Sequence, residues 1–119
     1  MKIFINLSNH PSVEWNEPQL LAAKKLGEIV DIPFPQIPPE ASTNDVSKLA
    51  GSYLEIISEY KDIAAVHLMG EMTFTCSLVK LLQRNGIKVL ASTTKRNSIN
   101  NHDGSRTLVF EFVQFREYP

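Results

Sequence analysis

Three short polar stretches hold the residues of this chain best suited to chemistry. The first is "SNH", Ser8 to His10. A histidine titrates near neutral pH and suits acid or base work. Trp15 follows five residues later, and its indole can stack on a nucleobase. The second is "HLMGEMTFT", residues 67–75, which sets one glycine, one carboxylate and two threonines between two apolar runs: Ile63, Ala64, Ala65 and Val66 before it, Leu78, Val79, Leu81 and Leu82 after it. The third is "TTKRNS", residues 93–98, with two hydroxyls and then two cations. That order suits a phosphodiester, with Lys95 or Arg96 as the counter-charge.

The second stretch lies where a strand hands over to a helix. A helix N-terminus presents unpaired N–H groups and an effective charge of roughly +0.5, and it binds phosphate or carboxylate readily. Gly70 would let a ligand approach the backbone, while Thr73 and Thr75 would cap the helix or donate hydroxyl hydrogens. Glu71 argues the other way, because a carboxylate repels phosphate. It suits a ribose hydroxyl or a base amino group instead. A plain turn and cap accounts for the same residues without a ligand, and 93–98 also reads as a solvated loop. His67 falls within a buried-looking strand and reads as a satisfied core histidine. His102 sits in a turn.

Several familiar chemistries have no residues here. There is no P-loop lysine motif and no G-x-G-x-x-G fingerprint. The three histidines and one cysteine show no metal-ligand spacing. Cys76 lies inside an expected helix, and no Ser–His–Asp arrangement is visible. An enzyme built from these residues works without metal or cofactor, by holding its substrate in a reactive shape.

Alternating elements position these stretches. Lys2 to Leu7 reads as a strand. A helix follows over Glu17 to Leu26, with Asn16 as N-cap, Pro18 in the first turn and Gly27 ending it. Glu28 to Ile32 is a short strand. "PFPQIPPEAS", with four prolines in ten residues, is a stiff surface crossover. Asn44 to Tyr60 is the clearest helix, opened by a capping box of Ser42 with Asp45. Ile63 to Leu68 is apolar enough for a central parallel strand. A helix over Thr75 to Asn85, closed by Gly86, precedes a strand over Ile87 to Ser92. "NNHDGS" signals a turn, and Thr107 to Phe115 is a last strand. Its apolar positions shift phase between Phe112 and Val113, which predicts a bulge or a strand covered on both faces.

This order predicts an α/β, Rossmann-like three-layer sandwich: a mainly parallel sheet with a C-terminal hairpin or antiparallel edge strand. At 119 residues the chain suits a single domain spanning 1–119. Ligands of such sheets bind beyond the carboxyl ends of the strands, so the three polar stretches are expected to converge on one rim. No apolar run approaches the roughly 20 residues of a membrane helix, and "MKIFINLSNH" reads as a strand rather than a signal peptide. One cysteine excludes an internal disulfide, so a cytoplasmic location is expected. Residues 1–79 carry five lysines against ten acids, whereas 80–119 carry seven cations against three acids. A basic end of this kind steers an anion or meets the acidic part of a second copy.

Taken together, "HLMGEMTFT", "LASTTKRNS" and "FVQFREY" resemble a family of small CRISPR-associated proteins of type III systems, similar to CARF ligand-binding domains. The resemblance implies a homodimer that binds cyclic oligoadenylate, cyclic tetra-adenylate above all, in a shared two-fold cleft. Neither membrane nor duplex DNA is an expected partner. Some such proteins are ring nucleases: a ribose 2′-hydroxyl attacks the adjacent phosphate without a metal, leaving a 2′,3′-cyclic phosphate. That cleavage switches off the antiviral response. Ring cleavage is the activity the resemblance leads one to expect here; the alternative is a member that only sequesters the messenger. Carried over by position, Gly70, Glu71, Thr73, Ser92, Thr93, Thr94, Arg96, Phe115 and Arg116 fall in the ligand site, with Asn9 and His10 beside them. The expected catalytic set is His10, Thr94 and Arg96. The expected binding set is Asn9, Gly70, Glu71, Thr73, Thr75, Ser92, Thr93, Lys95 and Arg116. A small nucleotide-responsive interaction domain is the reading without a ring ligand.

Overall fold

In the computed structural model, which describes residues 1–119, five strands and three helices alternate. They are β1 (Ile3–Ser8), α1 (Glu17–Leu26), β2 (Glu28–Asp31), α2 (Thr43–Ser58), β3 (Ile63–Met69), α3 (Met72–Arg84), β4 (Val89–Asn100) and β5 (Arg106–Glu117). The sheet order is β2-β1-β3-β4-β5. The first four strands are parallel, and β5 returns antiparallel to β4. This is the expected Rossmann-like sandwich with an antiparallel edge.

Strand side chains alternate between faces, and here both faces are covered. Ile5, Leu7, Val66, Leu68 and Val89 pack with Val46, Ala50 and Ile57 of α2 and with Phe74, Leu78 and Leu82 of α3. On the other face Phe4, Ala65 and Leu90 pack with Trp15 and with Ala23 of α1. The Ser42 capping box forms as expected. Ser42 Oγ accepts from Asp45 N at 3.1 Å, and Asp45 Oδ2 accepts from Ser42 N at 3.0 Å. Asn16 occupies the N-cap position of α1, but its side chain makes no capping bond.

The proline-rich crossover does more than span a gap. It lays Phe34 and Ile37 against the core, with the Phe34 ring edge-on to Phe74 at 5.2 Å. Phe34 in turn covers Gly70: a Cβ built there falls 2.3 Å from its Cζ. The glycine therefore admits an aromatic ring of the chain itself, where a ligand was expected.

Two boundaries differ from expectation by three residues or more. Helix α3 begins at Met72, three residues before Thr75, because Glu71 caps it and Phe74 N donates to the Glu71 carboxylate at 2.8 Å. Strand β4 does not stop at Ser92. Residues 93–98, read as a loop, continue it to Asn100, and β5 pairs with it throughout, from Leu90↔Glu117 to Asn100↔Arg106. The stretch is polar on both faces, so its sequence looks like a loop. Backbone pairing supplied by a distant segment makes it a strand.

The phase change in β5 is a bulge. Thr93 pairs with Gln114 and Thr94 with Phe112, which leaves Val113 as the extra residue. The bulge keeps Phe110, Phe112 and Phe115 on one face. Past Leu90, β4 loses its pairing with β3, and Ser92 turns its N–H and hydroxyl to the Met69 sulfur, at 3.2 and 3.1 Å. From there β4 and β5 rise as a two-stranded ribbon. The radius of gyration is 16.1 Å, against roughly 13–14 Å for a compact chain of this length.

Candidate functional site

A hollow of about 630 Å³ lies on the α1 side of the sheet, beyond the carboxyl ends of β1 and β3 and below the ribbon. Ser8, Asn9 and His10 reach it from the end of β1. Trp15, Asn16 and Gln19 line it from the start of α1, with Glu14 beside them. His67, Met69 and Gly70 come from β3, Ser92 and Thr94 from β4, and Phe110 and Phe112 from β5. Its size falls within the roughly 300–1,000 Å³ of small-molecule sites.

Asn6 organises the floor. It is buried, and its Nδ2 donates to Asp31 Oδ1 at 2.8 Å and to the His10 carbonyl at 2.9 Å. Both partners are acceptors, so the amide orientation is forced. Its Oδ1 then meets His67 Nδ1 at 2.9 Å and Ser8 Oγ at 2.8 Å, so Nδ1 carries the histidine hydrogen. His67 Nε2 is left with a lone pair, buried and without a partner. Burial first, and the neighbouring His10 second, push the His67 pKa from about 6.5 down to about 4. The ring is therefore neutral near pH 7. The sequence reading of His67 as a satisfied core residue is half right: one nitrogen is satisfied, the other is not, and the residue lines the hollow.

The β1–α1 connection is fastened to the same network. Asp31 accepts from Ser12 N at 3.0 Å and from Ser12 Oγ at 2.6 Å. Burial raises the Asp31 pKa, but the bonds from Ser12 and Asn6 outweigh it and hold the carboxyl below its usual range. The His10 carbonyl accepts from Trp15 Nε1 at 3.1 Å. Rings gather round the histidine: Phe4 lies stacked at 6.4 Å, with Trp15 and Phe115 edge-on at 5.4 Å. Phe112 continues the series, 4.9 Å from Phe115.

Of the residues singled out from sequence, Ser8, Asn9, His10, Trp15, Gly70, Ser92 and Thr94 line the hollow. The others stand elsewhere. The α3 N-terminus already holds an anion, the Glu71 carboxylate, which accepts from Phe74 N and from Thr73 Oγ1 at 2.7 and 2.8 Å. The Phe74 N–H first, then the Thr73 hydroxyl, hold that carboxyl below its ordinary pKa. Thr75 is buried beside a separate groove between α3 and the chain's last two residues. Thr93 and Lys95 point to the opposite ribbon face from Thr94 by strand alternation, with Thr93 Oγ1 bonded to the Gln114 carbonyl at 3.2 Å. Arg96 shares the Thr94 face and pairs with Phe110, but it stands farther along the ribbon and does not line the hollow. Arg116 pairs with Ala91 on the far face. The expected phosphate grip of helix terminus plus Lys95 or Arg96 is thus not assembled within one chain. A loop could have bunched these cations, whereas a strand spreads them.

Sequence reasoning missed Glu14, Asn16, Gln19, Met69, Phe110 and Phe112 as lining residues, and Asn6 as organiser. Asn6 did carry a signal, since a polar amide interrupts an otherwise apolar central strand. Phe110 and Phe112 carried none, because only the ribbon's path brings them over the rim. No three His, Cys, Asp or Glu side chains group closely enough to hold a metal ion. No helix is long and apolar enough to cross a membrane.

Residues 2–116 match the profile of one protein family, described as the Uncharacterized protein MJ1673 family. No curated protein matches the chain.

Proposed function

The chain belongs to the MJ1673 family, and we propose that this member binds cyclic oligoadenylate, cyclic tetra-adenylate above all, through the hollow below the ribbon. The observation that carries this reading is the pairing of aromatic faces with hydrogen-bonding side chains in one cavity: Trp15 and Phe112 beside Asn9, His10, Ser92 and Thr94. Flat rings stack on bases whatever their identity, and amides, imidazoles and hydroxyls bond base edges and ribose hydroxyls. The likeness of the three motifs to CARF-related proteins adds the ring form of the ligand.

The lining holds no lysine or arginine, so the hollow takes base and ribose, and the phosphates lie toward the ribbon. There Arg96, on the Thr94 face of the ribbon, supplies a cation. A second copy completes the picture. On the ribbon face away from the hollow Ile99 and Val113 are exposed, and a two-stranded hairpin is marginal in water without a packed face. A two-fold dimer covers those side chains and presents two hollows to a symmetric ring.

Sequestration is the reading this arrangement favours, because the three expected catalytic residues do not meet in one chain. Ring cleavage is the second reading, favoured by His10 and Thr94 lining the same hollow. In it, His10 takes the 2′-hydroxyl proton, the 2′-oxygen attacks the adjacent phosphorus, and the 5′-oxygen leaves as a hydroxyl after taking a proton from solvent. Arg96 neutralises the phosphate charge, and the product carries a 2′,3′-cyclic phosphate. One experiment decides: incubate the protein with cyclic tetra-adenylate in excess EDTA and follow the nucleotide by chromatography. Retained intact ring supports sequestration, and linear products over many turnovers support cleavage. Absence of binding leaves only a nucleotide-responsive or protein-interaction domain without this ligand.

A further inference from the structure

We infer that His67 Nε2 is the acceptor by which the hollow selects its ligand, taking a hydrogen bond from an N–H or O–H donor, either an exocyclic base amino group or a ribose hydroxyl. The inference deepens the nucleotide reading and rests on it.

Three observations carry it. First, His67 is 2% exposed yet lines the hollow, and its Nε2 has no partner. Buried polar atoms are nearly always paired, so an unpaired one calls for a missing partner. Second, the ring cannot turn to find another. Nδ1 is held by Asn6 Oδ1, Asn6 is held by Asp31 and the His10 carbonyl, and Phe4, Trp15 and Phe115 enclose the ring. Third, that chain of bonds places the hydrogen on Nδ1, so Nε2 presents only a lone pair. A ligand atom meeting it must be a donor. An acceptor there, such as a phosphate or carbonyl oxygen, is repelled. This accounts for a hollow that takes base and ribose rather than phosphate.

The test compares three probes on the whole protein by calorimetry: cyclic tetra-adenylate, its purine-riboside analogue lacking the amino groups, and its 2′-deoxy analogue. One analogue is expected to bind about tenfold or more weaker, the loss that follows when a buried acceptor forfeits its donor, and this identifies the donor. His67→Phe, which keeps a flat ring and leaves Asn6 Oδ1 bonded to Ser8, is expected to bind all three alike. Nitrogen NMR of the unmodified protein adds a readout independent of any variant. It should show the Nδ1–H tautomer when free, and an Nε2 shift with every probe that retains the donor. Equal affinity of the wild-type protein for all three probes overturns the inference alone, since it shows that no ligand donor meets Nε2. An Nε2–H tautomer also overturns it. No binding of cyclic tetra-adenylate overturns the nucleotide reading and this inference with it.

Discussion

His67 and Asn6 face each other across β1 and β3, both almost wholly buried, with His67 Nδ1 donating to Asn6 Oδ1 at 2.9 Å. This one bond joins the sheet's interior to the hollow. It decides which imidazole nitrogen carries the hydrogen, and through Asn6 it ties β3 to Asp31 at the end of β2 and to the loop after β1.

The pair makes stability depend on pH. The folded pKa of His67 is about 4, below its ordinary 6.5, so between those values the unfolded chain binds a proton that the folded chain does not. Stability contributed by the neutral buried ring is complete above about pH 6.5 and is lost as pH falls toward 4, by up to about 3 kcal/mol. Urea unfolding at several pH values from 7 to 4 should show this slope, and His67→Phe should lack it. A wild-type slope equal to the variant's would mean the ring is protonated or free in the folded state.

Gly70→Ala is expected to destabilise the fold by about 1–3 kcal/mol, the usual cost of overpacking. Its Cβ would collide with the Phe34 ring, which itself packs against Phe74. Phe34→Leu clears part of that space, so the double variant should lose less than the two single losses added together. Chemical denaturation of the four proteins measures the coupling, and strict additivity would place the strain elsewhere.

Glu71→Ala and Phe110→Ala should separate stability from binding. Glu71 caps α3 and does not line the hollow. Its removal should lower the melting temperature and leave the affinity for cyclic tetra-adenylate unchanged. Phe110 is 57% exposed and lines the hollow. Its removal should spare the fold and weaken binding about tenfold, in line with the loss of a base-stacking ring. The reverse pattern would return the ligand to the helix terminus.

Sedimentation should report a dimer, and Ile99→Glu together with Val113→Glu on the ribbon should return it to a monomer with unchanged circular dichroism. These two side chains are exposed in the single chain, so only a partner makes them matter to assembly. A wild-type monomer at high concentration would remove the two-fold cleft from the proposal.

Much of this was legible along the chain. Helix α1 falls on its expected residues, Glu17–Leu26, and the Ser42–Asp45 capping box forms. The apolar run at 63–68 lies in the central strand, and the phase change at Val113 is a bulge. These features depend on contacts within a few residues or on a periodic apolar face, and both are written locally. The candidate site was legible in part, through Ser8, Asn9, His10, Trp15, Gly70, Ser92 and Thr94.

What the linear order could not decide is where polar residues go when their partners are distant. Residues 93–98 have no apolar face to declare a strand, and β5 makes them one by backbone pairing. Phe34 comes 36 positions before Gly70 in sequence and fills its open side. Asn6, Asp31 and His67 belong to three strands that only the sheet order sets side by side. Propensity and periodicity act over a turn or two of chain, so they settle elements. A hydrogen bond between remote side chains exists only once the fold has closed the distance, and the hollow is made of such meetings.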